Sequence, residues 1–183
     1  PTGEIGISAE ERIRRALSSP TEIDFVDTPL RDALNYLKDK HVIQIWPDEQ
    51  ALTDQGVAID TPVTLSLAGV RLASALDLLL TPLHLDYMID DEVLKITTQA
   101  REQETWQLEV YSVRDLLEQG FNPDELRDVL TASVTPQAWV ENGGQASLRI
   151  ARENLLIVRH TPRSQRELVR ALDKLRAGMR DER

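Results

Sequence analysis

The side chains best suited to chemistry in this sequence include three histidines. His41, His84 and His160 each fall at the start or end of a predicted strand. No two of them have the short spacing that paired metal ligands use. We therefore interpret all three as surface or strand-end packing residues, and not as metal ligands or a catalytic base.

Acidic residues form two groups that could in principle bind a cation or act as paired carboxylates. The groups are Asp48, Glu49, Asp54 and Asp60, and then Asp86, Asp90, Asp91 and Glu92. Oxygen-rich loops suit calcium, but the alternating D-x-D-x-D order with a glycine and a closing glutamate is missing. A two-carboxylate hydrolase needs two acids held across a cleft, and nothing in the spacing points to such a pair. We interpret both groups as solvated turns.

No nucleophile or phosphate-binding motif is present. The sequence lacks cysteine, a G-x-S-x-G elbow, a Walker loop and a G-x-G-x-x-G turn. The paired glycines of "NGGQ", residues 142–145, are not followed directly by a helix, so they predict a loop leading into a strand. We predict no enzyme activity, no cofactor and no metal.

The charge distribution argues against nucleic acid as a partner. The 183 residues carry a formal net charge of -10, and residues 1–100 hold 17 acidic and 8 basic side chains. Such a surface repels phosphate backbones. No apolar run approaches the roughly 20 residues that cross a bilayer, so we expect no membrane insertion by this segment. No signal peptide is evident, and the start at Pro1 leads us to expect a piece of a longer chain.

The first half contains a repeated strand-helix-strand unit. Residues 8–17 predict a helix capped by Ser8, and residues 21–26 a half-buried strand. "FVDTPLRDALNYL" (25–37) returns 42 positions later as "LAGVRLASALDLL" (67–79). Asp27 or Thr28 is expected to cap the first of these helices, with Pro29 in its first turn. The apolar helix faces are Leu30, Ala33, Leu34 and Leu37, then Leu72, Ala75, Leu76 and Leu79.

The remaining elements of the first half are predicted as follows. Residues 41–46 form a strand, and 47–62 a polar connection with a helical turn at 51–52 and a short strand at 57–59. Gly69 marks a turn. Asp90 and Asp91 turn the chain into a final hairpin strand at 92–97.

The second half predicts a β-α-β-β-α order after a polar boundary near residues 99–104. Its elements are a strand at 106–113, a helix at 122–134, a loop at 135–145, two strands, and a closing helix capped by Thr161. The order resembles RNA-binding KH modules, but the GXXG loop that they need is absent. The last residues are polar and expected to fray.

Two features of the second half suit a protein interface. Arg163, Arg166, Arg170 and Lys174 form a stripe on the closing helix, which is either a solvated face or a surface for an acidic partner, such as the first domain of another copy. Trp139 lies in a polar loop, where it is either an exposed interface anchor or locally packed. Trp46 and Trp106 fit strand positions at the core or its edge.

Residues 22–98 resemble the short N-terminal domain of secretins and TonB-dependent receptors (the STN domain). The resemblance rests on "FVDTPLRDALNYL" and on "VTLSLAGVRLASALDLLLTPLHLDYMIDDEVLKIT". The positions that match the core of that domain are Phe25, Leu30, Ala33, Leu34, Val63, Leu65, Leu67, Gly69, Ala75, Leu76, Leu79, Leu85, Tyr87 and Ile96.

Residues 106–177 more loosely resemble the ring module that follows in secretins, chiefly through "ENLLIVRHTPRSQRELVRALDKL". The resemblance implies an α+β protein with a helical arm (1–20), an STN-like domain (21–100), a ring-module-like domain (105–177) and a polar tail (178–183). It implies a non-catalytic assembly or protein-interaction module of the periplasm or cell envelope, with protein partners that include copies of itself. The alternative is a ligand-sensing or signal-sensing module of a TonB-dependent receptor or an anti-sigma type regulator.

Overall fold

The computed structural model describes residues 7–181, apart from the side chains at positions 153, 180 and 181. The chain divides into two compact units, Pro1–Glu102 and Gln103–Arg183. Both combine helices with small, largely antiparallel sheets, which confirms the α+β class. The predicted polar boundary is helical, because α5 (Gln99–Glu104) spans the point of division.

The first unit is built from a two-stranded and a three-stranded sheet with helices packed against them. In the two-stranded sheet β1 pairs with β3, and in the other the strand order is β2-β5-β4. The elements are α1 (Ala9–Ser18), β1 (Pro20–Pro29), α2 (Leu30–His41), β2 (Ile45–Pro47), α3 (Glu49–Asp54), β3 (Pro62–Arg71), α4 (Leu72–Leu80), β4 (Leu85–Asp90) and β5 (Val93–Thr98).

The sequence repeat appears in the structure as an internal two-fold arrangement. Strands β1 and β3 are antiparallel, and Asp24 pairs with Ser66, its own equivalent at the offset of 42. Phe25 pairs with Leu65, which is the repeat equivalent of the residue on the other side of Asp24. The strand pairing is therefore symmetric about Asp24 and Ser66. A local two-fold axis therefore passes between Asp24 and Ser66. Strand β5 breaks the symmetry, since it lies between β2 and β4 and has no repeat equivalent.

The two repeated helices supply the centre of the first core. All eight residues predicted for their apolar faces are buried, and Ile13 and Ala16 of α1 join the same cluster. The Ser8 hydroxyl accepts the backbone N–H of Glu11 at 3.1 Å, which confirms the predicted cap of α1. Helix α1 is thus part of the first core.

The predicted caps of α2 are wrong. No side chain caps this helix, because β1 continues to Pro29 and neither Asp27 nor Thr28 can fold back. The first two N–H groups, of Leu30 and Arg31, instead donate to carbonyl oxygens of the 58–61 turn, at 2.9 Å each. A neighbouring loop thereby satisfies donors that the helix itself cannot.

Gly69 does not turn the chain; it forms a bulge within β3. Thr21 pairs with Val70 and Glu22 with Ala68, so Gly69 is the extra residue, with φ +72°. Glycine adopts this conformation without the Cβ clash that other residues meet.

Other predicted boundaries shift for local reasons. Strand β2 is shorter than expected because α2 runs to His41 and Val42 ends it in the left-handed conformation. Residues 57–59 form no strand. The hairpin is confirmed, but Asp91 and Glu92 are its turn residues, and their φ values of +48° and +64° are those of a type I′ turn.

The second unit has one three-stranded antiparallel sheet in the order β6-β8-β7. A short helix, α6, precedes the predicted helix and was missed, since its five residues carry little periodicity. The elements are β6 (Gln107–Ser112), α6 (Arg114–Glu118), α7 (Pro123–Ser133), β7 (Ser147–Ala151), β8 (Leu155–His160) and α8 (Pro162–Asp181).

The core of the second unit lies between the sheet and helices α7 and α8. Asn122 caps α7 as predicted, with its side chain accepting the Asp124 N–H at 2.9 Å. The predicted frayed tail is instead helical up to Asp181, and residues 182–183 lie outside the described part. The buried core residues include Val113, Leu116, Leu126, Leu130, Val134, Trp139, Leu156, Val158, Leu168 and Leu172.

Candidate functional site

The carboxylates of the first acidic group pair with two arginines and are not arranged as a cation site. Arg101 approaches Asp48 at 3.4 Å and Asp54 at 3.7 Å. Arg31 approaches Asp60 at 3.3 Å and also Glu49. Carboxylates held this way serve local structure, and within the described residues no cluster of three or more potential ligands occurs.

Asp48 also has a specific structural role. Its buried carboxylate accepts the Ala51 N–H at 3.1 Å and caps α3. In the second acidic group, Asp86 accepts the N–H of Tyr87 at 2.8 Å, and Asp90 pairs with Lys95 at 3.3 Å. The interpretation of both groups as solvated turns is wrong for Asp48 and Asp86, which are buried, Asp48 as the cap of α3 and Asp86 within β4.

His41 ends α2 and ties it to the start of β1. Its Nδ1 lies 3.2 Å from the Ser19 hydroxyl, and its Nε2 lies 2.9 Å from the Thr21 hydroxyl. Burial, together with the neighbouring charge of Lys40, lowers the pKa of His41. The Ser19 hydroxyl is within 2.7 Å of the Ala16 carbonyl oxygen, to which it donates, so it is engaged in ending α1.

Among the described side chains of the second unit, His160 is the most enclosed titratable group. Its ring stacks on Trp106 at a centroid distance of 6.0 Å and meets Trp139 edge-on at 4.9 Å. Its Nδ1 accepts the Thr161 N–H at 2.8 Å, so the ring proton lies on Nε2, which donates to the Thr135 hydroxyl at 2.9 Å. Burial lowers the pKa of His160 to about 4. Both ring nitrogens are used, which leaves no lone pair for a metal or substrate.

Trp139 is not an exposed interface anchor. Its side chain is 0% exposed, and its indole N–H donates to the Val134 carbonyl at 2.7 Å. The loop closes over the Trp139 ring through two backbone hydrogen bonds. The Ala146 N–H donates to the Ala138 carbonyl oxygen, and the Gly144 N–H donates to the carbonyl oxygen of Trp139. A Cβ at Gly144 would overlap the carbonyl oxygen of Ala138. Gly144 therefore permits close backbone approach, a role that the polar loop composition did not reveal.

Trp46 and Trp106 differ in burial. Trp46 is 50% exposed on β2, with the Lys95 ammonium 5.3 Å from its ring centroid, so it does not lie in the core, which was one of the two positions expected for it. Trp106 is half-buried against the second core, and the Arg159 guanidinium lies 4.8 Å from its ring.

The predicted basic stripe lies on α8. Arg163, Arg170 and Lys174 are exposed and Arg166 is half-buried. Arg163 approaches Glu167 at 3.7 Å, four residues along the helix. Arg170 and Lys174 border a groove of about 410 Å³ between α7 and α8, here called the α7/α8 groove. The apolar residues that line the groove are Val129, Val134, Ala171 and Leu175.

The second surface of interest is the outer face of the β6-β8-β7 sheet. Leu108 and Val110 are 66% and 53% exposed on β6, and their partners on β8 are Arg159 and Ile157. On the opposite face of β6, Tyr111 is directed at the helices, where its hydroxyl meets Gln165 of α8 at 3.0 Å. We call the apolar outer patch, Leu108, Val110, Leu155 and Ile157, the open sheet face.

Sequence reasoning missed the open sheet face. Strand alternation separates Leu108 and Val110 from Tyr111, but it does not tell which side the helices cover.

Within the described residues, no helix is both long enough and apolar enough to cross a bilayer.

Comparison with known proteins shows limited likeness. No protein-family model and no curated protein sequence matches the chain. One similar structure is the InvGN0N1, SpaPQR and PrgHK assembly of the Salmonella SPI-1 injectisome, with 16% identity and a TM-score of 0.35, over 86% of this chain and 94% of that one. Another is the GspC–GspD complex of the type II secretion system of enterotoxigenic Escherichia coli, with 13% identity and a TM-score of 0.34, over 86% of this chain and 98% of that one. At these identities and TM-scores, neither likeness assigns a function to the chain.

Proposed function

We propose that this chain is a non-catalytic protein-interaction and assembly module of the cell envelope, in a secretin-like system. The observation that carries the proposal is the open sheet face. Large apolar side chains left exposed side by side on a sheet are characteristic of protein contact surfaces. His41, His160 and the paired carboxylates described above are engaged in structural contacts, which favours a binding role over catalysis.

The open sheet face has the composition of an interface centre. Its apolar patch is bordered by Arg149 on β7 and Arg159 on β8, which lie on the same side of the sheet by register. An apolar centre with an arginine rim is a common interface arrangement. In addition, β6 and β7 are edge strands, so each offers backbone groups to a further strand. The partners we propose are envelope proteins and further copies of the chain.

The test is site-specific photo-crosslinking in cells that express the full-length protein. A photoreactive amino acid replaces Leu108 or Val110 in turn, and the matched control carries it at Asp91, in the β4–β5 turn of the first unit. We expect crosslinks from both sheet positions and few from the control. Self-crosslinks together with crosslinks to outer-envelope proteins support the assembly role.

Two outcomes contradict the proposal. If the sheet positions crosslink no more than the control, the open sheet face is not a contact surface. If they capture an inner-membrane regulator or a receptor barrel without self-crosslinks, the sensing alternative replaces the assembly role.

A further inference from the structure

We propose that β6 pairs antiparallel with the β6 strand of a second copy of this chain, about a two-fold axis at Glu109. This inference rests on the proposed function, because it names one partner and the part of the surface that contacts it. The contact is made by the backbone edge of β6 and does not require packing on the open sheet face. The backbone, the side chains and the charge of the second unit each support it.

The outward backbone groups of β6 follow from its pairing with β8. The Val113 N–H continues the ladder by donating to the Asn154 carbonyl at 2.9 Å. Residues of an antiparallel strand bond alternately to one side and to the other, so Leu108 and Val110 direct their N–H and C=O groups away from β8. In the described part of the chain, no group bonds to them from that side. The edge of β6 is therefore open at these two residues.

This edge lacks the features that usually keep strands of different molecules apart. Natural edge strands are protected by charged side chains, proline, bulges or covering segments. Strand β6 has neither proline nor bulge, and Leu108 and Val110 are 66% and 53% exposed on it. Its C-terminal end is covered, because the Arg176 guanidinium donates to the Ser112 carbonyl at 3.0 Å. The open part is thus short, apolar and suited to strand addition.

The opposite edge of the sheet, along β7, is less suited to pairing. The preceding loop already occupies the start of this edge, because the Ala146 N–H donates to the Ala138 carbonyl at 2.8 Å and the Val140 N–H donates to the Ala146 carbonyl at 2.9 Å. Arg149 lies farther along β7, where pairing with a second β7 would bring two arginines together. The structure therefore favours β6 as the paired edge.

An antiparallel pair centred on Glu109 is self-complementary. It places Leu108 of each copy opposite Val110 of the other, so the apolar side chains meet and the outward backbone groups of both residues are satisfied. Glu109 lies opposite the same residue of the second copy, and this like-charge contact opposes the pair. Cross-strand contacts are of similar strength, so two apolar pairs with their backbone hydrogen bonds outweigh one such contact.

The charge distribution favours contact between second units. Residues 1–100 hold 17 acidic and 8 basic side chains, so the first units of two copies repel one another. Residues 101–183 hold 14 acidic and 13 basic side chains, which gives a net charge of -1. Two copies therefore meet the lowest electrostatic barrier when they approach through their second units. A two-fold pair uses the β6 edge of both copies, so the assembly closes as a dimer.

The test uses the absence of cysteine from the chain. Leu108→Cys and Val110→Cys are made separately, and the purified chains are oxidised with copper phenanthroline, each alone and then mixed. In the proposed pair, Leu108 and Val110 face each other with Cα atoms about 5.5 Å apart, within the range of a disulfide. Two copies of the same variant hold their cysteines roughly 8 Å apart, beyond that range.

We expect the mixture to form at least about fivefold more disulfide dimer than either variant alone. The matched control is Val26→Cys, which places a comparably exposed cysteine on β1 of the first unit and measures random collision; Val26 is 70% exposed. Mixing it with Leu108→Cys should give no increase. Equal amounts of dimer in the mixture and in the single variants, or no dimer in any sample, overturn the proposal.

A second measurement separates edge pairing from packing on the open sheet face. Val110→Lys places a charge at the paired edge, whereas Ile157→Lys places the same charge on the central strand of that face. Dimerisation is measured by analytical ultracentrifugation after circular dichroism has confirmed folding. We expect Val110→Lys to weaken dimerisation at least about tenfold and Ile157→Lys to have little effect. Equal weakening by both variants, or a parent chain that remains monomeric, contradicts the edge pairing.

Failure of this inference can be told apart from failure of the proposed function. Photo-crosslinking at Leu108 and Val110 detects any partner of the open sheet face, whereas the cysteine mixture detects a second copy alone. Photo-crosslinks to envelope proteins without the mixed disulfide reject the β6 pairing and leave the proposed function standing. Loss of the photo-crosslinks rejects the proposed function.

Discussion

His160 makes the stability of the second unit depend strongly on pH. Its folded-state pKa is lowered from 6.5 to about 4 by burial, so the unfolded chain holds the proton more tightly. Between these two pH values the unfolded state binds one more proton than the folded state, and acidification favours unfolding. The stabilisation is complete above pH 6.5 and is lost as the pH falls towards 4.

The magnitude follows from the difference between the two pKa values. Each pKa unit corresponds to about 1.4 kcal/mol, so the total over this range is about 3 kcal/mol. A domain of this size is stable by about 5–15 kcal/mol, so the loss is a substantial fraction of the total. The folded protein disfavours the charged form of His160 because a proton on Nδ1 would face the Thr161 N–H, which already donates to that atom.

The assay is urea denaturation followed by tryptophan fluorescence at several pH values from 7 to 4.5. The exposed Trp46 is first replaced by phenylalanine, so that Trp106 and Trp139 report on the second unit alone. We expect the free energy of unfolding to fall by about 1.4 kcal/mol per pH unit because of His160. His160→Asn, which cannot titrate, should remove this component of the slope. The matched control His84→Asn changes an exposed histidine of the first unit and should retain it.

Two results would refute this reasoning. One is an identical pH slope in the parent and in His160→Asn. The other is an NMR titration of the His160 ring in the folded protein that gives a pKa near 6.5. The NMR measurement needs no variant, so it remains decisive if His160→Asn folds poorly.

Three further predictions concern stability, each measured by urea unfolding. Gly144→Ala should cost about 2 kcal/mol or more, because its Cβ overlaps the Ala138 carbonyl oxygen, and an unchanged midpoint would contradict the close approach. Arg176→Met should lower the free energy of unfolding by about 1 kcal/mol and raise the pKa of Asp115 towards its ordinary value, because the ion pair between Arg176 and Asp115, at 2.7 Å, lowers that pKa. An unchanged pKa of Asp115 in the variant would contradict this. Val42→Gly should stabilise the first unit by about 1 kcal/mol, because Val42 is 82% exposed and has a φ of +53°, a left-handed conformation that glycine adopts without a Cβ clash. A loss of stability would show that the Val42 side chain contributes packing.

The sequence by itself determined the local elements that periodicity encodes. The helical faces headed by Leu30 and Leu72, the repeat between them and the β4–β5 hairpin are all predictable, because each depends on residues within a few turns of one another. Fold class follows from the same patterns, since alternating short strands and amphipathic helices allow few arrangements. The strand-end position of His160 was also readable, but its enclosure was not, and His41 ends helix α2 rather than starting a strand.

Only the tertiary structure decided which surfaces are covered and which charges meet. Leu108 is exposed because the helices lie on the Tyr111 side of β6, a choice between two faces that alternation leaves equal. Trp139 is buried because Gly144 lets a polar loop close over it. Arg101 and Asp48 meet across 53 residues of chain. Such contacts depend on how distant segments pack, and the physical reason they escape sequence analysis is that no local pattern records the partner.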